Sequence, residues 1–206
     1  MAKSKKITVI GISGSPRIGA TDYIVRFALE QLKKKAGFDT KYFTVAKKTI
    51  NFCIHCDYCI KNKSGCVHED DMNELYPLLE EADGILIGTP IYQGNVSAQI
   101  KAVLDRCRAL VAKNPEIFKD KVGGGIAVGG DRMGGQEIAL QTLNNFYIIS
   151  EMIPVGGGSW GANLGGTIWS KDKLMQGAKE DEEGQRTVKK LVKKIIRMIN
   201  RVKKID

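Results

Sequence analysis

The chain has 206 residues, 43% of them hydrophobic, which is enough for one domain with a substantial core. No apolar run approaches the roughly 20 residues of a membrane span. The apolar run after the basic residues 1–6 is too short for a secretion signal, so we expect a cytoplasmic protein. Lysine and arginine outnumber aspartate and glutamate by 32 to 23, and the net charge of +9 suits acidic partners or nucleic acid without choosing between them.

The first predicted elements are a buried strand at residues 7–12 and a helix at residues 21–35. The loop between them, SGSPRIG, is polar and contains glycine. A strand, such a loop and a helix N-terminus can direct backbone N–H groups at an anion. Three hydroxyls and a guanidinium add donors: Ser13, Ser15, Thr21 and Arg17. The loop matches neither G-x-G-x-x-G nor a Walker loop, so a simple connection is the alternative to phosphate binding.

After a second predicted strand at residues 40–45, an insertion at about residues 46–71 holds four of the five cysteines. They are Cys53, Cys56, Cys59 and Cys66, spaced C-x2-C-x2-C-x6-C. Four converging thiolates are what a [4Fe–4S] cluster needs. A structural zinc site is the alternative, although it usually takes two separated C-x2-C pairs. Disulfides are not expected, because an intracellular chain keeps its thiols reduced.

Strands and helices alternate through the rest of the chain. Three more strands are predicted, at residues 84–88, 122–128 and 152–155. Helices are predicted at residues 72–81, 98–111 with Ser97 as N-cap, 136–147 and 182–205, the last basic and amphipathic. This alternation predicts a single α/β domain, residues 1–206, with a doubly wound parallel sheet of five strands. Ligands of such sheets bind beyond the carboxyl ends of the strands, where three polar or glycine-rich loops would meet.

In chain order, four stretches stand out: ISGSPRIGAT, CIHCDYCIKNKSGC, TPIYQGNVSAQIKAVLDR and VGGDRMGGQE. Together they resemble the iron–sulfur flavoproteins of archaea and anaerobic bacteria, a branch of the NADPH-dependent FMN reductases with a flavodoxin-like fold. The resemblance implies FMN, with its phosphate held by Ser13, Ser15, Arg17, Ala20 and Thr21. It implies a flavin ring resting on Pro90, Ile91, Tyr92, Gln93, Gly94 and Asn95, with Gly130, Asp131 and Gly135 nearby.

The resemblance also implies an FMN-dependent oxidoreductase that contains FMN and a [4Fe–4S] cluster. Electrons would pass from a ferredoxin-like one-electron donor to a small acceptor, such as oxygen, peroxide, a quinone or a metal ion. A homodimer or homotetramer is implied, in which the cluster of one subunit approaches the flavin of a neighbour. No residue is nominated as a catalytic acid, base or nucleophile, since the cofactors carry the redox chemistry.

Two other functions are weighed against this one. The first is an NAD(P)H-dependent FMN or quinone reductase whose cysteines bind zinc. The second is a nucleic-acid or partner-binding α/β protein, which the charge of +9 would favour. No known nucleic-acid module is visible in the sequence, and we expect neither nucleic acid nor a membrane as partner.

Several residues near the expected sites have plainer interpretations. Asp22 follows the first loop, where its charge would oppose a phosphate, so we expect it to point outward. Cys107 is expected to pack in the core as a small hydrophobe. His55 and His68 are expected at the surface or beside the ligating cysteines.

Overall fold

A computed structural model describes residues 6–204 of the chain. Its strands are β1 (Ile7–Ser13), β2 (Phe38–Thr44), β3 (Gly84–Pro90), β4 (Val122–Gly129), β5 (Ile153–Val155) and β6 (Gly166–Trp169). All pairs of these strands are parallel, in the order β2-β1-β3-β4-β5, and β6 also pairs with β4. The predicted α/β fold with a parallel sheet is therefore confirmed.

The last position of the sheet is filled by two short strands instead of one. β5 pairs with the first half of β4, and β6 pairs with its second half from Ile126 to Gly129. The sequence predicts irregular chain over residues 156–167, so β6 is a correction to that prediction. Its four residues, GTIW, follow a glycine-rich stretch and are too few to show the alternation by which strands are recognised.

The helices of residues 6–204 are α1 (Ala20–Lys33), α2 (Tyr58–Asn62), α3 (Met72–Glu81), α4 (Ala98–Arg106), α5 (Arg108–Lys113), α6 (Gln136–Ile149), α7 (Leu174–Glu180) and α8 (Glu182–Val202). Ser97 is the predicted N-cap of α4, and its Oγ accepts a hydrogen bond from the backbone N–H of Ile100 at 3.2 Å. The single helix predicted over residues 98–111 is wrong, because it is interrupted at Cys107.

The short helices α2 and α7 were not predicted, since five and seven residues show at most two turns of periodicity. Residue 205, the predicted end of α8, lies outside the described residues. None of the helices in the described part of the chain is long and apolar enough to cross a membrane.

Helices cover both faces of the sheet. On one face, α1 and α8 bury Ile24, Leu29, Val188, Leu191 and Ile195 against the strands. On the other face, α3, α4 and α6 bury a second apolar cluster. The basic side of α8 faces away from the sheet, as its amphipathic pattern predicts.

Glycines in β4 let these helices approach the strand closely. A Cβ on Gly123 would lie 2.5 Å from the ring of Tyr147 on α6, and one on Gly124 would lie 2.9 Å from Ile195 on α8. Successive residues of a strand face opposite sides of the sheet, so the two glycines serve the two faces in turn. The Tyr147 hydroxyl donates to the Gly124 carbonyl at 2.8 Å, which holds α6 against the strand.

The Gly123→Ala substitution should therefore lower the free energy of unfolding by about 1–3 kcal/mol, because the added methyl group collides with the buried Tyr147 ring. Urea unfolding of the purified protein measures the change. Gly134→Ala is the matched control, since its Cβ would meet only ordinary contacts at 3.7 Å. Equal unfolding free energies for the two variants would contradict the proposed contact.

Candidate functional site

The loops after β1, β3 and β4 meet around one cavity of about 110 Å³ at the carboxyl edge of the sheet. Eight of the residues predicted to bind FMN line this cavity: Ser15, Arg17, Ala20, Thr21, Pro90, Ile91, Tyr92 and Gly130. The sequence thus predicted which loops converge, because parallel strands bring their carboxyl ends to the same edge.

The phosphate end of the cavity is formed by the first loop and the start of α1. No side chain caps this helix at Gly19. The first N–H groups of a helix lack partners within it, and here they begin at the cavity wall. Ser15 donates to the Arg17 carbonyl at 2.8 Å, which shapes the loop. Ser13 is fully buried and does not line the cavity, and its Oγ has no hydrogen-bond partner among the described residues.

Asp22 is turned away from the cavity but not into solvent, so the expectation that it points outward is wrong. Its side chain is buried and accepts hydrogen bonds from Arg26 Nε at 3.1 Å and from the Tyr42 hydroxyl. The Arg26 guanidinium also lies 3.7 Å from the centre of the Tyr42 ring. Burial and the bond to Asp22 raise the pKa of Tyr42. Asp22 is thereby neutralised by Arg26 within its own helix.

A tight turn follows β3 and carries the remaining predicted ring contacts. Tyr92 and Asn95 exchange backbone hydrogen bonds of 3.0 and 3.1 Å around Gln93 and Gly94. Both central residues have positive φ, 48° and 77°, as in the two-residue hairpin turns that favour glycine. The Asn95 side chain accepts a hydrogen bond from Thr142 of α6 at 2.9 Å, which fixes the turn.

The turn touches the loop after β4 through glycine. Gly135 has φ 109°, and a Cβ on it would lie 2.3 Å from the Gly94 carbonyl oxygen. The Gln136 side chain, which the sequence did not single out, spans this loop: it accepts from the N–H of Gly134 and donates to the carbonyl of Asp131, both at 2.7 Å. The Asp131 side chain itself is exposed.

Two further wall residues follow β6 and could not be found without that strand. Ser170 donates its N–H and its hydroxyl to the Gly129 carbonyl, at 2.8 and 3.0 Å. The carboxylate of Asp172 lies against Gly130 and lines the cavity.

The segment at residues 51–71, here called the cysteine segment, is anchored by a buried ion pair. Arg106 of α4 donates to both oxygens of Asp70, at 2.7 and 3.1 Å, and its side chain is only 1% exposed. The same guanidinium donates to the carbonyl of Asn51 at 2.9 Å, so it holds both ends of the segment. Burial alone would raise the pKa of Asp70, but hydrogen bonds from Arg106, Asn51 and Met72 outweigh it and hold that pKa below its ordinary value.

The four predicted ligands are free thiols, as is Cys107. Cys59 is buried, Cys53 and Cys66 are half-buried and Cys56 is exposed. Within residues 6–204 no group of three cysteine, histidine or acidic side chains is close enough to hold a metal ion, so the four thiols are not gathered around one point.

The chemistry of the donor set nevertheless fits an anionic metal cluster. Cys66 lies within the electrostatic influence of Arg106, and Cys53 and Cys59 within that of Arg108. Positive charge therefore stands beside three of the four thiols.

The residues with plainer interpretations lie as follows. Cys107 is buried in the core, as expected, and burial raises the pKa of its thiol to about 12. His55 is 79% exposed. His68 is half-buried, and its Nε2 is buried without a hydrogen-bond partner in the described part of the chain.

Comparison with known proteins decides the family. The NADPH-dependent FMN reductase family matches residues 7–167. The chain is 58% identical over 191 residues to an iron–sulfur flavoprotein of Methanocaldococcus jannaschii, covering 93% of this chain and 96% of the relative. It is 55% identical to an iron–sulfur flavoprotein of Archaeoglobus fulgidus, covering 94% and 98%. The chain belongs to the iron–sulfur flavoproteins of the FMN reductase family. It is an FMN-dependent oxidoreductase.

Solved structures agree on the fold of this flavoprotein. RosB matches with a TM-score of 0.74 at 15% identity, covering 96% of this chain and 81% of that one. A WrbA-like flavodoxin from Agrobacterium tumefaciens matches with a TM-score of 0.62 at 18% identity, covering 98% and 99%. At these identities the likeness concerns the flavodoxin-like fold alone.

The Asp70→Asn substitution should lower the free energy of unfolding at pH 7 by about 3–5 kcal/mol, because it leaves the buried Arg106 charge without its partner. Since the folded pKa of Asp70 is depressed, the wild-type pair stabilises fully above the unfolded pKa of about 4 and loses this effect as the pH falls through the folded pKa. The difference between the two proteins should therefore shrink in acid.

Urea unfolding from pH 7 to pH 3 measures both effects. Asp105→Asn is the matched control on the same helix, because its pair with Lys101 is exposed and should contribute only about 0–1 kcal/mol. A pH-independent difference between Asp70→Asn and wild type would contradict the prediction.

Proposed function

We propose that this flavoprotein transfers electrons between a one-electron carrier such as ferredoxin and a small acceptor: oxygen, peroxide, a quinone or a metal ion. FMN would occupy the three-loop cavity, and a [4Fe–4S] cluster would bind to Cys53, Cys56, Cys59 and Cys66. The observation that carries the proposal is a set of four free thiols with two arginines beside it, in a chain whose relatives are called iron–sulfur flavoproteins. FMN holds one or two electrons and the cluster passes one, so together they join one-electron and two-electron partners.

Within the cavity, the chain would bind the FMN phosphate at its basic end. The uncapped N-terminus of α1 and the guanidinium of Arg17 offer donors and positive charge there. The proposed phosphate contacts are Ser13, Ser15, Arg17, Ala20 and Thr21. Ser13 would take part from behind the cavity wall, since its buried Oγ lacks a partner in the described residues.

The flavin ring would rest on the turn after β3. This turn is preorganised by its own backbone hydrogen bonds, by Thr142 and by the contact between Gly94 and Gly135. The proposed ring contacts are Pro90, Ile91, Tyr92, Gln93, Gly94, Asn95, Gly130, Asp131 and Gly135. No side chain of the cavity is assigned a catalytic proton transfer.

The surface of the cysteine segment supports assembly into a homodimer or homotetramer. Phe52, Ile54, Tyr58 and Ile60 are exposed within ten residues of one another. A contiguous apolar patch of this kind is typical of an interaction surface. A neighbouring subunit covering it would bring the cluster towards that subunit's flavin. The proposal includes a cytoplasmic location, where free thiols stay reduced.

A second candidate is an NAD(P)H-dependent FMN or quinone reductase whose cysteines bind zinc. The family to which the chain belongs is described as NADPH-dependent, which favours this alternative. Four cysteine thiolates suit zinc as well as iron. The two candidates differ in metal content and in the reductant that bleaches the flavin.

Anaerobically purified protein should contain about four irons and four sulfides per flavin. Replacing any one of Cys53, Cys56, Cys59 or Cys66 by serine should remove most of the iron and sulfide and leave FMN bound, because the thiols and the flavin loops are separate. Cys107→Ala is the matched control and should keep both cofactors, since its thiol is buried in the core. Iron, sulfide, zinc and flavin assays on the same samples check this.

Reduced ferredoxin should then bleach the wild-type flavin faster than NADPH does. Zinc in place of iron and sulfide, with rapid bleaching by NADPH, would replace the electron-transfer proposal by the reductase alternative.

A further inference from the structure

Two arginines separated by one residue hold the cysteine segment at different points. Arg106 ends α4, Arg108 begins α5, and Cys107 lies between them. In one continuous helix, residues two positions apart point about 200° away from each other around the axis. The interruption at Cys107 lets both guanidinium groups reach the same segment.

The two contacts differ in place and in burial. Arg106 is buried and binds the ends of the segment, at Asn51 and Asp70. Arg108 is 32% exposed and binds the middle: its Nη2 donates to Asp57 Oδ1 at 2.6 Å, and its Nη1 lies 3.5 Å from His55 Nδ1. The first contact ties down the stem of the segment, and the second lies among the cysteines.

The backbone that Arg108 contacts is in an unfavourable conformation. His55 and Asp57 have φ of 53° and 59°, in the left-handed region that residues with a Cβ rarely adopt. The helix that follows, α2, has only five residues and cannot stand alone in water. A contact from outside the segment is needed to keep this chain geometry, and Asp57 at the start of α2 receives one from Arg108.

We propose that Arg108 is a positioning residue for the iron–sulfur cluster: through Asp57 it holds the Cys53–Cys59 part of the segment, and its charge lies beside the thiols of Cys53 and Cys59. This inference rests on the proposed function. It distinguishes Arg108 from Arg106, whose buried pair stabilises the whole fold. Arg108 acts on the cluster alone, because its ion pair is half exposed and joins no core element.

The test compares four single variants of the holoprotein: Arg108→Ala, Arg108→Lys, Asp57→Asn and Lys113→Ala. Lys113 is the matched control, because it removes one positive charge from the same helix through a pair with Glu80 that does not involve the cysteine segment. Each variant is assayed for FMN content, for the rate at which an iron chelator strips the cluster, and for the midpoint potential of the cluster.

Arg108→Ala and Asp57→Asn should both lose iron about tenfold faster than wild type, as is usual when a residue that supports metal ligands is lost. The double variant Arg108→Ala/Asp57→Asn should lose it no faster than the faster single variant, because both changes remove one contact. FMN content and Lys113→Ala should match wild type. Arg108→Lys should strip faster than wild type, since lysine cannot reproduce the planar fork.

The midpoint potentials separate position from charge. Arg108→Ala removes a positive charge beside the cluster and should lower the potential, whereas Asp57→Asn removes a negative charge and should raise it. A merely structural role would move both potentials in the same direction or not at all.

Wild-type stripping rates in Arg108→Ala and Asp57→Asn, with the cluster present, would overturn this inference and leave the proposed function standing. A loss in Lys113→Ala equal to that in Arg108→Ala would also overturn it, because net charge would then suffice. Wild-type protein without acid-labile sulfide would instead overturn the proposed function, and this inference with it.

Discussion

The buried pair of Arg106 and Asp70 is the interaction on which the arrangement of the two candidate sites depends. A charge taken out of water is costly unless it is paired and hydrogen-bonded. Here the guanidinium reaches Asp70 with two hydrogen bonds and the Asn51 carbonyl with a third. Because the arginine belongs to α4, which begins just after the turn of the flavin cavity, one helix connects the cysteine segment to the flavin loops.

Close backbone contact, made possible by glycine, is the second constraint. Gly135 lies so near to Gly94 that no Cβ fits between the loops after β3 and β4. Ser97 adds a bond to the Gly14 carbonyl at 2.6 Å, which ties the α4 N-terminus to the loop after β1. The three loops therefore form one rigid wall. A flavin needs such a wall, because the protein's contribution to its chemistry is to orient it and tune its electronics.

The cysteine segment contrasts with that wall. It has only one short helix, its thiols are free, and its contacts to the rest of the fold are made mainly by Arg106 and Arg108. Its ligand set could be recognised from spacing alone, since C-x2-C-x2-C concerns residues a few positions apart. The two arginines could not, because residues 36 and 51 positions away along the chain supply their partners.

The sequence by itself determined the α/β class, the parallel strands and the loops that line the cavity, because hydrophobic periodicity and glycine turns are local properties. It also determined the family, through motifs such as CIHCDYCIKNKSGC. Only the tertiary structure decided that β6 completes the sheet, that Ser170 and Asp172 join the cavity and that the helix ends at Arg106. It alone buried Asp22 against Arg26 and Tyr42. These features depend on contacts between distant residues, which no local pattern encodes.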